Sequence, residues 1–339
     1  MNRRRILACL LLSLAGFAHS ARAVSEEFLA ATVQLQNGRT VAGKIISIDA
    51  NELLLSVDGR RHQFPIDDLV AIDFSPAPAQ STLRSWLLLS NGDRAPLTPI
   101  DLVDDAFLCR WEDATQPASW RVPLELVTAL LRQPLNVKEE AALLPELSRR
   151  AFTEDTLILS DGTRLAGALE GVTADTFRVE TAVGIVPVEA ARVAAVAMNA
   201  ALVQRPEPAK RSALVILRDG TWLTLHDLAI STDQSLTGRT GFDAELKVPL
   251  ADVARIACYG PHVIELSRRT PLNVTTVQFV SRKQDLQINR NVRGGWLELD
   301  GRSHARGLGM TSGMSATFDL EPGDRQFEAT VGIDDSVGP

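Results

Sequence analysis

Apolar and polar residues alternate along most of this chain, and one phrase punctuates the alternation four times. It reads Val33-Gln34-Leu35-Gln36-Asn37-Gly38, then Leu87-Leu88-Leu89-Ser90-Asn91-Gly92. It returns as Leu157-Ile158-Leu159-Ser160-Asp161-Gly162 and as Val215-Ile216-Leu217-Arg218-Asp219-Gly220. Asn-Gly and Asp-Gly tolerate the positive φ angles of a type I′ turn, so each phrase predicts a strand entering a tight hairpin. Alternating residues follow, such as Val41, Gly43 and Ile45, or Leu165, Gly167 and Leu169, and predict the returning strand. A second phrase closes each copy: Phe64-Pro65-Ile66, Val122-Pro123-Leu124, Val186-Pro187-Val188 and Val248-Pro249-Leu250. Proline removes a ladder donor, so it predicts a strand end and a short turn before the last apolar strand.

One copy is therefore strand, hairpin, strand, third strand, fourth strand, proline-led turn and fifth strand. That order resembles a small five-stranded barrel of the SH3-like or Sm-like kind. The predicted units span 28–76, 82–133, 153–203 and 210–260. Residues 134–152 form a helical linker, since Asn136 to Leu144 is rich in helix formers, and Pro145 should interrupt or restart the helix. Exposed joints are expected at Ser75-Pro76-Ala77-Pro78 and Gln204-Arg205-Pro206-Glu207-Pro208. Units of this size bury a modest core alone, which favours packing between neighbours.

The N-terminus changes the picture of where the protein works. Asn2-Arg3-Arg4-Arg5, the apolar Ile6 to Ala18 and the small-x-small site Ala21-Arg22-Ala23 predict a signal peptide over 1–23. The apolar stretch falls short of the roughly 20 residues that span a bilayer. The expectation is a secreted or periplasmic protein with no transmembrane segment after cleavage. Cleavage removes four of the 35 basic residues, leaving 31 against 42 acids, so the formal charge moves from −7 to −11. That balance argues against nucleic acid as a partner. The remaining cysteines, Cys109 and Cys258, either pair in an oxidising compartment or stay as buried thiols in strand-like runs.

From His262 the register changes. Leu297 and Leu299 predict a strand turning at Asp300-Gly301, another I′-type hairpin, with His304 to Met310 returning. Ser315 to Leu320 and Phe327 to Ile333 alternate as two more strands. The string Arg290-Asn291-Val292-Arg293-Gly294-Gly295, then Leu297-Glu298-Leu299-Asp300-Gly301, then Ala305-Arg306-Gly307-Leu308-Gly309, resembles the NPCBM family. Phe318-Asp319-Leu320 and Phe327 to Asp335 continue the resemblance in order. These are carbohydrate-binding modules found beside glycoside hydrolases. The resemblance implies a jelly-roll β-sandwich, recognition of glycans that often contain galactose, and in some members a bound calcium ion. Thr311 stands where the family usually has His, and Pro339 is reached about halfway through the module. The overall expectation is an all-β protein: four tandem SH3-like barrel repeats followed over 261–339 by a partial, truncated jelly-roll sandwich.

Sugar sites combine an aromatic face with a few polar groups. Trp296 offers the face, or a core position at the start of a strand. His304 and Arg306 offer hydrogen bonds to hydroxyls, or solvated loop positions. Asp334 and Asp335 offer hard oxygen ligands to Ca2+, or turn formation and capping. For catalysis the mature histidines His62, His226, His262 and His304 are scattered, and no His-Glu-x-x-His, Gly-x-Ser-x-Gly or phosphate-cradling loop occurs. Asp67-Asp68 and Asp104-Asp105 are adjacent on turns rather than converging on a cleft. The sequence therefore reads as a non-enzymatic exported carbohydrate-binding or adhesion protein. The alternatives are a scaffold whose repeats bind protein partners, and the accessory front of a larger glycoside hydrolase.

Overall fold

The computed structural model describes residues 29–74, 85–111, 119–132, 142–147, 152–207, 209–277 and 285–337. The expected signal peptide, the joint at 75–78 and most of the 134–152 linker lie outside them. Within them no helix is long and apolar enough to cross a membrane. The architecture is all-β.

The first unit comprises β1 (Ala30–Leu35), β2 (Thr40–Ile48), β3 (Glu52–Val57), β4 (Arg60–Pro65) and β5 (Leu69–Phe74), with a 3-10 turn at Ile66–Asp68. β1 pairs with β2 and with β5, β2 with β3, and β3 with β4, all antiparallel. The second unit has β6 (Trp86–Leu89), β7 (Arg94–Ala95), β8 (Leu97–Val103), β9 (Ala106–Trp111), β10 (Trp120–Pro123) and β11 (Val127–Leu131). The third has β12 (Asp155–Leu159), β13 (Arg164–Val172), β14 (Thr176–Thr181), β15 (Gly184–Glu189) and β16 (Val193–Ala197). The fourth has β17 (Ser212–Leu217), β18 (Trp222–Ile230), β19 (Ser235–Thr240), β20 (Glu245–Pro249) and β21 (Val253–Tyr259). In every unit the first strand pairs with the last, and a 3-10 turn leads into that last strand.

The repeated hairpin forms where expected but by different chemistry. Gly38, Gly92, Gly162 and Gly220 have φ of 77°, 88°, 84° and 93°, while the Asn or Asp before each keeps negative φ. Each glycine N–H donates to the carbonyl of the Leu three residues earlier. This is a type I turn with a glycine bulge, not the expected type I′. The Asn or Asp is there for its side chain, which accepts the N–H two residues on: Asn37 from Arg39, Asn91 from Asp93, Asp161 from Thr163 and Asp219 from Thr221. A true I′ turn does occur at Asp300-Gly301, with φ of 51° and 69°.

The closing phrase holds in three copies. Pro65, Pro123 and Pro249 immediately precede their 3-10 turns. In the third unit the residue in that place is Glu189, before Ala190–Arg192, and Pro187 lies inside β15 opposite Arg178. Among the described residues β15 pairs with β14 alone, so the missing N–H of Pro187 interrupts no ladder on the far side.

Units do not pack as sequential neighbours alone. β5 pairs antiparallel with β21, bringing unit one to unit four, and β11 pairs with β16, bringing unit two to unit three. The pairings centre on Ile72↔Ile256 and Leu130↔Val196, which occupy one repeat position, six residues after the start of each 3-10 turn. Each also faces the first strand of its own unit, at Val33, Leu87, Leu157 and Val215. All eight side chains are fully buried. The described part of the linker is a helix over 142–147 that includes Pro145. Leu144 packs on Trp86, Leu88, Leu131 and Ile158, sealing the outer face of the second and third units.

Beyond Tyr259 the described residues make three two-stranded ladders. β22 (Asn273–Thr276) pairs with β27 (Met314–Thr317), β23 (Gln287–Ile288) with β26 (Leu308–Gly309), and β24 (Leu297–Leu299) with β25 (Arg302–His304). The strand expected over Phe327 to Ile333 does not form. Its alternation has no ladder partner among the described residues, and Phe327, Val331 and Ile333 are 73%, 90% and 79% exposed.

Cys109 and Cys258 are free and buried in separate units, so the disulfide alternative is not realised. Burial pushes both thiols up to about 12. Both should stay silent toward an aromatic disulfide reagent in the native protein at neutral pH and react fully in denaturant. Rapid native reaction of either one would contradict this packing.

Candidate functional site

The residues singled out in the C-terminal segment lie where that segment meets the second and fourth units. Trp296, just before β24, packs edge-on to Trp222 of β18, with ring centroids 5.2 Å apart at 82°. The buried Arg94 guanidinium lies between them, 3.7 Å from the Trp222 ring, 4.4 Å from Trp296 and 4.8 Å from Trp86. Arg94 Nε donates to Gly220 O at 2.8 Å, so the cation is tied to the fourth unit's hairpin. Arg290 covers another part of Trp296 at 4.2 Å, and burial, with Arg306 nearby, lowers its pKa to about 10. Each cation–aromatic contact is worth about 0.5–2 kcal/mol, more where water is excluded. Trp296 is thus half-buried in a joint, the core position that was its alternative reading.

Arg306 is equally committed. Its Nη2 donates to Asp93 Oδ1 at 2.6 Å and to Thr224 Oγ1 at 3.1 Å. The two charged side chains are 7% and 3% exposed. Asp93 also accepts Thr224 N–H at 2.6 Å and Asn91 Nδ2–H at 2.8 Å. Burial alone would lower the guanidinium's pKa, but Asp93 and Glu265 hold it above its ordinary value. Glu265 Oε2 lies 3.5 Å from Arg306 Nε and accepts from Arg268 Nε at 3.1 Å, while burial pushes its carboxyl upward. Gly92 makes this approach possible. A Cβ there would sit 2.9 Å from Arg306 Nη1 and 3.1 Å from Asn289 Nδ2.

His304, on β25, is half-buried. Burial first, then the charges of Arg255 and Arg302, hold its pKa below 6.5. Asp334 accepts Glu298 N–H at 3.0 Å and Asn291 Nδ2–H at 3.0 Å. Asp335 accepts the amides of Asp300 and Gly301 at 3.1 and 2.8 Å. The pair ties the last described residues to the β24–β25 hairpin, which is the capping alternative. The two carboxylates do not fit a calcium site: each is occupied by backbone amides on a different part of the hairpin. Among the described residues no group of three His, Cys, Asp or Glu could hold a metal ion.

A cleft of about 920 Å³ opens where the fourth unit, the 204–211 connection and this junction meet. Arg306, Glu265 and Asn289 line it, with His226 and Asp227. Of the sequence-derived site residues only Arg306 borders it. Asp93, Arg94, Trp222 and Glu265 were not anticipated. A signal for Asp93 existed: the residue after the turn glycine is Arg39, Asp93, Thr163 and Thr221, a single acid among the four copies.

Arg306→Leu should lower unfolding stability by about 3–5 kcal/mol, because it strands the Asp93 carboxylate in a dry site. Arg121→Leu, which removes a partner of the exposed Asp104, should cost no more than about 1 kcal/mol. Equal effects in urea titrations would sink the distinction. His304 has a depressed folded pKa, so its contribution is present above its ordinary pKa and lost as pH falls through the folded one. Replacing it with Gln should flatten the fall in melting temperature between about pH 7 and pH 5. A variant whose melting profile overlays that of the parent would refute this.

No curated protein matches the chain significantly. Residues 267–339, the segment that carries Trp296, Arg306 and Asp334, match the family described as NPCBM/NEW2 domain.

Proposed function

We propose that this protein is an exported, non-catalytic glycan-binding protein. In this reading each of the four units is a small SH3-like barrel, and together they form a rigid platform for the C-terminal module. The family match over residues 267–339 carries the proposal, since that family suggests a carbohydrate-binding module associated with glycoside hydrolases. Two further features support it. The basic, then apolar, then small-residue order of residues 2–23 is that of an export signal. The module is locked to the platform through Asp93–Arg306 and the Arg94–tryptophan stack, so a ligand would meet a preorganised surface rather than a swinging domain.

The test is a glycan-array screen of residues 24–339, read alongside a melting curve that verifies folding. Binding to a defined subset of glycans, with galactose-containing ones among them, is the expected result. A cooperatively folded protein that binds no glycan at all would end the carbohydrate reading.

A further inference from the structure

We propose that the cleft at the junction is built for the anionic group of an acidic saccharide, a uronate carboxylate or a sulfate ester; this rests on the glycan-binding reading above. The volume of about 920 Å³ lies within the range of roughly 300–1,000 Å³ usual for small-ligand sites. Its wall is cationic in an acidic protein. Arg205, Lys210, Arg211, Arg268 and Arg306 line it against Glu207, Asp227 and Glu265, while the whole chain carries −7. A concave surface with an excess of one sign concentrates the field inside it, and exposed charges farther off than about 8 Å are screened at physiological salt.

The cations of this wall divide by what already holds them. Arg306 is taken by Asp93 and Glu265, Arg268 by Glu265, and Arg211 by Asp67 at 2.5 Å. Lys210 makes no ion pair with a described residue, and Arg205 makes none at contact distance, its charge acting on Glu265 from farther off. They flank the cleft on the connection between the third and fourth units, Lys210 with its charge unshared and Arg205 only loosely engaged by Glu265. A buried donor joins them. Asn289 is 4% exposed and lines the cleft, its Oδ1 accepts Gly307 N–H at 3.1 Å, and its Nδ2 donates to no described residue. Guanidinium and ammonium groups beside an amide N–H are the donor set for a carboxylate or sulfate.

The lining also narrows the rest of the ligand. Among the described residues it contains no Phe, Tyr or Trp. A nucleobase would have no ring to stack on, and a neutral sugar would lack the aromatic face on which such sites depend. What remains is charge for an anion and side chains such as Asn91, His226 and Asp227 for hydroxyls. An acidic saccharide uses both.

The experiment is calorimetric titration of the full chain with a short oligogalacturonide, a sulfated galactan fragment, a neutral oligogalactoside of the same length, and inorganic sulfate. At least one acidic oligosaccharide should bind, more tightly than its neutral counterpart. The double variant Arg205→Ala/Lys210→Ala, at two exposed positions, should melt as the parent does and weaken that binding by about tenfold or more. Whichever acid binds identifies the anion. The proposal is overturned if binding is unchanged in the double variant, or if inorganic sulfate alone binds as tightly as the saccharide. A neutral oligosaccharide bound while both acidic ones are ignored sinks this proposal and leaves the glycan reading standing. A folded protein that binds none of them sinks both.

Discussion

Every repeat unit ends on a strand with two edges, and its own first strand covers only one of them. An uncovered edge presents a row of unpaired amides and carbonyls, which in other chains is a route to aggregation. This chain resolves the problem by setting the final strand of one unit against the equivalent strand of another. Because the contact is antiparallel and centred on one repeat position, it is self-complementary, as an isologous dimer interface is. Ile72 meets Ile256 and Leu130 meets Val196, with each side chain buried on both sides of the ladder. The constraint then reaches outward. It fixes unit one beside unit four, while Trp222 of β18 pairs with Arg94 of β7, joining the second strands of units four and two.

The C-terminal segment is attached by a different kind of force. Its joint is built on charge taken out of water, a geometry in which removing one partner costs more than the pair itself contributes. The benefit of such a contact is orientation. Asp93 has four donors around it, three from Thr224 and Asn91 of the repeat units and one from Arg306 of the module, so the repeat units hold the carboxylate in place for the arginine. The surface pairs, such as Arg239 with Asp227, have no comparable hold on geometry, since both partners remain more than half exposed.

Much of the fold was legible because the turn chemistry is local. A glycine three residues past a buried leucine, with Asn or Asp just before it to cap the turn, specifies a hairpin without reference to anything distant. The same locality misled the reading in the third copy, where Pro187 imitates the closing phrase two residues early while Glu189 holds the true position. The pairing of units was not legible from alternation. β16 offered a hint, since Val193–Ala197 is apolar throughout and buried at all five positions, the mark of a strand covered on both faces. At the site, Trp296, Arg306 and Asp334 were singled out from the chemistry of sugar and metal sites, but their partners were not. Asp93 and Arg94 stand about two hundred residues earlier, and no spacing rule connects them to Arg306 and Trp296.

The arrangement of partners is nested: units two and three pair with one another inside the span that separates one from four. Asp73 and Arg255, side by side in the outer pairing, are 182 residues apart in sequence. Closing a loop of that length as a free coil is entropically costly and slow, whereas the inner pair needs only a short connection. Once the inner pair has formed, the intervening chain becomes a compact block and the outer ends are held near each other. A ribosome adding about 5–20 residues per second would take on the order of 10–40 s to supply unit four after unit one emerges. Throughout that interval β5 has an open edge and no mate, so the first unit to be made is the last to be completed.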